Sequence, residues 1–99
     1  IYRKRVMDHR RENPYYRYQR ARDAYTAGDY GAAINHLKFA IRKKKNEDEF
    51  YFLLGLCYLQ KGDERAAQRW LARAKAVAAT DALKHRYSSK LDLLTSEMK

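Results

Sequence analysis

Three histidines, one cysteine, a pair of serines and a run of acids are the residues of this chain best suited to chemistry. His9, His36 and His85 are far apart in sequence and fall on different predicted helices, so none belongs to a metal-spaced cluster. Cys57 is the only cysteine, which rules out an internal disulfide or a cysteine-based metal site. Its neighbours Leu56, Tyr58 and Leu59 predict a small buried residue rather than a reactive thiol. A reducing compartment is compatible with this usage but not required. Ser88-Ser89 has no base beside it, and packing accounts for it better than nucleophilic work. Glu47-Asp48-Glu49 falls at a predicted helix start, where acids are favoured by the positive end of the helix dipole. No glycine-rich phosphate loop is present. No catalytic residue, metal ligand or cofactor site emerges, and the chain does not read as an enzyme. What remains is recognition chemistry: nine tyrosines set among 22 lysines and arginines.

The chain has 99 residues, which suggests one domain. Hydrophobic residues make up 45%, enough for a modest core. One proline, four glycines and abundant Ala, Leu, Arg and Lys favour helix. No apolar run approaches the ~18 residues that span a membrane; the longest is residues 50–54, so this segment is not expected to insert. No signal peptide is visible, because the first ten residues are basic with no apolar stretch behind them. The start at Ile1 rather than Met leads us to expect an excised piece of a longer protein.

An internal repeat organises the chain. Gly28-Asp29 recurs as Gly62-Asp63, Ala33 as Ala67, Leu37 as Leu71 and Ala40 as Ala74, each after 34 residues. The predicted elements follow the same phase. Asn13-Pro14 starts a helix that runs to about Ala27 and stops at Gly28. Asp29 caps a second, to about Lys44, with Ala33, Ile34, Leu37, Ala40 and Ile41 on its apolar face. Asn46 is the expected cap of a third, which continues through Phe50 to Gln60. Asp63 caps a fourth, to about Ala78, with Ala67, Trp70, Leu71, Ala74 and Val77 inward. Thr80 or Asp81 caps a fifth, to about Met98, with Leu83, Tyr87, Leu91, Leu94 and Met98 on one side and Lys and Arg on the other. In the first dozen residues, Ile1, Tyr2, Val6 and Met7 make only a weak helical stripe.

On these residues the sequence resembles the tetratricopeptide repeat family. The first repeat covers residues 14–47 and the second 48–81, between a basic segment at 1–13 and a capping helix at 82–99. The family's small residues are matched by Ala21, Ala33 and Ala40, then by Gly55, Ala67 and Ala74. The second repeat also has Leu54 and Tyr58 in place. The first departs where Arg17 and Arg20 replace an aromatic and a leucine, and both lack the closing proline. The resemblance implies an all-α fold of antiparallel helix pairs stacked in a short right-handed solenoid. Residues 50–78 are also loosely similar to tetratricopeptide chaperones of bacterial type III secretion, though only at positions ordinary for the family. Two repeats are fewer than such arrays generally need. Flanking helices, further repeats, a second copy in a homo-oligomer or a bound partner must cover the remaining apolar faces.

In the family, first-helix side chains line a concave groove that holds a partner peptide. The resemblance places Tyr15, Tyr18, Gln19, Arg22, Tyr25 and Thr26 there from the first repeat. Glu49, Phe52, Leu53, Leu56 and Leu59 follow from the second, and Leu83, Arg86, Tyr87 and Lys90 from the fifth helix. Such a surface is aromatic and aliphatic in the middle and cationic at its flanks, which suits an acidic or amphipathic segment of another protein. Phe52, Leu56 and Leu59 fit equally well as packing against the fifth helix. Some members clamp the terminal carboxylates of heat-shock chaperones with lysines and asparagines; those positions here hold Tyr18, Arg22 and Leu53, so that partner is not expected.

The net charge of +10 is unevenly spread: residues 1–22 carry eight cations and two acids, residues 42–45 read Arg-Lys-Lys-Lys, and residues 47–65 are net −3. A solvated basic surface, an acidic protein or anionic membrane surface, and nucleic acid all remain open. Tyr15, Tyr16, Arg17, Tyr18 and Arg20 could stack bases and neutralise phosphates, although no recognised nucleic-acid motif accompanies them. The basic start would also suit the cytoplasmic domain of a membrane-tethered complex subunit. The expected role is a scaffold, adaptor or chaperone-like subunit in the cytoplasm or on its membrane face.

Overall fold

The computed structural model describes residues 13–98, with side chains as far as Leu94. The expectations placed on residues 1–12, including the weak stripe and the basic cluster of Arg3, Lys4, Arg5, Arg10 and Arg11, lie outside the described residues, as does the side chain of Met98. Among the described residues there are five helices and no strand: α1 (Pro14–Thr26), α2 (Tyr30–Lys43), α3 (Asp48–Gln60), α4 (Glu64–Val77) and α5 (Asp81–Met98). The fold is all-α, as the periodicity predicts.

The helix boundaries follow from backbone chemistry. The Asn13 side chain accepts from the Tyr15 N–H at 2.8 Å, and Pro14 takes the first helical position, where a missing N–H costs nothing. At the far end of α1, Gly28 adopts φ +82°. Its N–H bonds to the Tyr25 carbonyl (3.0 Å) and the Asp29 N–H to the Ala24 carbonyl (2.8 Å), closing the helix with a left-handed residue that glycine adopts without strain. The Asp29 carboxylate then accepts from the Ala32 N–H at 3.2 Å and opens α2. The same pair of events recurs at Gly62 (φ +85°) and Asp63, whose carboxylate accepts from Ala66 at 3.1 Å. Each Gly-Asp pair therefore stops one helix and starts the next within a few residues, which turns the chain back antiparallel.

Thr80 rather than Asp81 caps α5, its hydroxyl accepting from the Leu83 N–H at 3.2 Å. The start of α3 differs from expectation. Asn46 is not its cap; Glu47 holds that place without a side-chain bond, and the helix begins at Asp48. The reason lies in the preceding loop, where the Tyr51 hydroxyl donates to the Lys45 carbonyl at 2.7 Å and leaves Asn46 within the turn.

Helices pack chiefly as α1 on α2 and α3 on α4, with α2 on α3 and α4 on α5 joining the pairs. Ala21, Ala33, Ile34, Leu37 and Ala40 meet Phe50, Leu53, Leu54 and Cys57 in the first core. Tyr51, Ala74, Ala78 and Tyr87 form a second, and Ala67, Leu71 and Leu94 a third. Leu37, Leu54 and Leu71 are fully buried, each favouring the fold by ~1.5–3 kcal/mol. Arg17, the departure from the family's aromatic, lays its guanidinium 4.3 Å from the centroid of Phe39, so a cation–π contact stands where two apolar groups would meet.

The tightest approach is at Gly55. A Cβ there would stand 2.8 Å from Leu71 Cγ and 3.3 Å from the Ala67 carbonyl oxygen. Alanine gains ~1 kcal/mol in helix propensity over glycine, but overlap in a filled core costs ~1–3 kcal/mol. Gly55→Ala is expected to lower stability by about 1 kcal/mol. At Gly31 the nearest atom is 4.0 Å away, and Gly31→Ala is expected to raise stability by about 0.5 kcal/mol. Urea denaturation followed by circular dichroism separates the two; equal shifts of the midpoint would refute the close-approach account.

Candidate partner-binding surface

Tyr15, Tyr18, Arg22 and Tyr25 recur every three or four residues and so share one face of α1. That face meets the start of α3. The Tyr18 ring lies 5.2 Å from Phe50, and Tyr15 meets the same ring edge-on at 5.9 Å. Tyr18 is half-buried, whereas Tyr15 keeps 50% of its surface exposed. The pKa of Tyr18 is raised by burial first and by the nearby Glu49 charge second, with Arg22 opposing. The exposed Arg22 guanidinium reaches within 6.0 Å of the Tyr18 ring centroid. Farther along, the Tyr25 hydroxyl accepts from the Gln60 amide at 3.4 Å, while its ring meets Tyr30 edge-on at 5.4 Å. Gln19 is exposed and its amide donates to Asp23 within α1 (3.4 Å).

The α5 side is more closed. Phe52 is half-buried with its ring 5.3 Å from Tyr87, and Leu59 packs with Leu91 and Leu94. Of the three residues shared between groove and core readings, Phe52 and Leu59 thus pack against α5, while Leu56 packs on the cluster that α1, α2 and α3 build. Leu83 and Tyr87 turn inward, and Arg86 and Lys90 stay exposed. The structure therefore brings Tyr15, Tyr18, Arg22 and Glu49 together at one end. Arg86 and Lys90 stand apart from this cluster, exposed on α5.

Two partners of this surface were hidden from sequence reasoning. Asp48, taken there for a helix-start acid, accepts a hydrogen bond from the Tyr87 hydroxyl across 39 residues of sequence. Gln60, at the last turn of α3, carried no signal linking it to Tyr25. Elsewhere, burial pushes the Cys57 thiol up to about 11 and keeps it protonated at neutral pH. His36 is held below its ordinary value by burial and then by Arg17 and Arg20. Among the described residues, no group of three His, Cys, Asp or Glu side chains could hold a metal ion, and no helix is long and apolar enough to cross a membrane.

The profile of the tetratricopeptide repeat family matches residues 24–86. The chain belongs to this family. Solved tetratricopeptide-type structures superpose on it closely. SycD, a type III secretion translocator chaperone of Yersinia enterocolitica, matches with TM-score 0.83 and 25% identity, over 94% of this chain and 66% of that one. SycD in complex with a peptide of the translocator YopD gives 0.82 and 24%, over 95% and 73%. PcrH in complex with the chaperone binding region of PopD gives 0.82 and 24%, over 89% and 69%. No curated protein matches the chain.

The tetratricopeptide packing makes a pH prediction. Tyr87 is buried and beside Asp48, and both facts raise its pKa, burial more than the carboxylate. Its contribution to stability is fully present below the ordinary phenol value of about 10 and is lost as pH rises beyond it towards the raised folded value. Tyr87→Phe is expected to cost about 1 kcal/mol at pH 7 through the lost hydrogen bond. It is also expected to make the fall in stability above about pH 10 shallower than in the unaltered chain. Urea unfolding at neutral and alkaline pH tests this; parallel losses in both proteins would show that Tyr87 does not carry the effect.

Proposed function

We propose that this domain is a protein-binding module, without catalytic activity, that holds an amphipathic or extended segment of a partner protein on the face built by α1, α3 and α5. The observation that carries the reading is the cluster at the α1–α3 junction. Tyr15 offers an exposed aromatic surface, Tyr18 packs beside it on Phe50, and the exposed Arg22 reaches over the Tyr18 ring at the edge. Aromatic rings held in place lose little entropy on binding, and arginine supplies a directed donor fork, which is why both types recur as anchors at interfaces. Exposed Arg86 and Lys90 add positive charge on α5, so acidic flanks on the partner fit best. The likeness to PcrH and SycD, whose structures hold segments of PopD and YopD, supports a protein partner.

Nucleic acid at the same face is less well supported. Arg17 is engaged by Phe39 and Tyr18 by Phe50, which leaves Tyr15, Tyr16 and Arg20 as the accessible members of the tyrosine–arginine stretch.

The test is to purify the full-length protein from its own cells at low and moderate salt, identify the protein retained, and repeat with Tyr15→Ala plus Arg22→Glu. Both residues are exposed, so helicity should be unchanged. Affinity for the retained protein is expected to fall at least about tenfold, the loss of one interface anchor. Unchanged affinity would overturn the assignment of this face. Recovery of nucleic acid alone, released as salt rises, would overturn the protein-partner reading.

A further inference from the structure

A cavity lies between α2 and α4, and none of the residues of the proposed α1–α3–α5 face lines it. It is an open cavity of about 440 Å³. Ile41, Tyr51 and Trp70 give it an apolar and aromatic lining, and Arg42, Lys45, Arg69 and Arg73 add the charged side chains. The aromatic pair is fixed before any ligand arrives. Tyr51 and Trp70 stack at 6.0 Å with their planes 14° apart, and the Tyr51 hydroxyl is tied to the Lys45 carbonyl. The Arg73 guanidinium lies 5.8 Å from the Tyr51 ring centroid. Among the described residues, no carboxylate or carboxamide lines the cavity, so its side chains offer guanidinium, ammonium and indole donors without an acidic counter-charge there.

Three features define the ligand. Four cations around one cavity call for more than a single negative charge. Three of the four are arginines, whose planar fork fits phosphate oxygens in pairs. The apolar lining calls for a flat or greasy body attached to the anion, because a bare ion would leave Ile41 and Trp70 uncovered. An acidic peptide satisfies the charge but brings backbone N–H groups, and the lining has no carboxylate or carboxamide to accept them. A phosphate is an acceptor only, and a base attached to it is flat. We propose that this cavity binds a nucleotide, with the base over Ile41 and Trp70 and the phosphate between Arg42, Arg69 and Arg73. The nucleotide is either free or one unit of a single strand, since stacking and phosphate neutralisation serve both. The site does not depend on the protein-binding reading and stands or falls separately.

Trp70 is the only tryptophan of the chain, so its emission reports the cavity directly. The full chain is titrated with adenosine diphosphate and with an eight-nucleotide single-stranded oligoadenylate. Sodium pyrophosphate and hexaglutamate serve as competitors. Saturable quenching of Trp70 by the nucleotide probes is expected, with pyrophosphate displacing them at lower concentration than hexaglutamate. Arg69→Ala plus Arg73→Ala, both exposed, should weaken binding at least tenfold, whereas the exposed pair Lys61→Ala plus Lys84→Ala should change it less than twofold. Equal affinity for both probes would identify a free nucleotide. An oligoadenylate bound far more tightly, with a steep salt dependence, would identify a strand. The site is refuted by any of three outcomes: no saturable quenching up to millimolar probe, equal losses in the two double variants, or displacement by hexaglutamate ahead of pyrophosphate.

Discussion

The contact on which the rest of the structure depends is the approach of α3 to α4 at Gly55. With no side chain there, the flank of α3 lies against Leu71 and the Ala67 carbonyl at a distance no Cβ would tolerate. This closeness lets short residues complete the core: Ala67 and Ala74 are fully buried. The first pair obeys the same constraint less severely, with Ala21, Ala33 and Ala40 fully buried where α1 crosses α2. Helix pairs of fixed spacing can then stack, and the stacking leaves one helix of each pair to face a partner.

α3 converts that spacing into three directions of packing. Phe50, Tyr51 and Phe52 are consecutive, so they leave the helix about 100° apart. Phe50 receives Tyr15 and Tyr18 from α1, Tyr51 stacks on Trp70 of α4, and Phe52 meets Tyr87 of α5. One run of three rings thus anchors the α1 face, the α2–α4 cavity and the capping helix. A helix that is apolar almost all round has no solvent face to orient it, and this is why periodicity alone left Phe52, Leu56 and Leu59 undecided between groove and core.

What was legible in the sequence was whatever depends on local chemistry repeated in phase. Gly28-Asp29 and Gly62-Asp63 announce both turns, because a positive-φ glycine and an aspartate cap act within a few residues. The 34-residue recurrence of Ala33, Leu37 and Ala40 announces the pairing of helices. What was not legible depends on partners distant in the chain. Asn46 is a better cap by type than Glu47, yet the Tyr51 hydroxyl on the Lys45 carbonyl decides where α3 begins. Arg17 looked like a defect in the first helix until Phe39 was seen beneath it. On the candidate surface, the tyrosines and Arg22 were visible as a helical stripe, but which of the rings would be held depended on Phe50 of α3.

The same logic explains the outward charge. Of the acids at the start of α3, Asp48 accepts a hydrogen bond from the Tyr87 hydroxyl. Asp29 and Asp63 are bound to backbone N–H groups at helix starts. Acids used in this way are fixed at the junctions between helices and are not distributed among the surface cations. On the open faces of α2 and α4 stand the exposed cations Arg42, Lys43, Arg69 and Arg73. The excess of cations is set by composition, and the fold decides where those cations stand. Arg42, Lys45, Arg69 and Arg73 line the cavity beside Trp70, and among the described residues no carboxylate lines it with them.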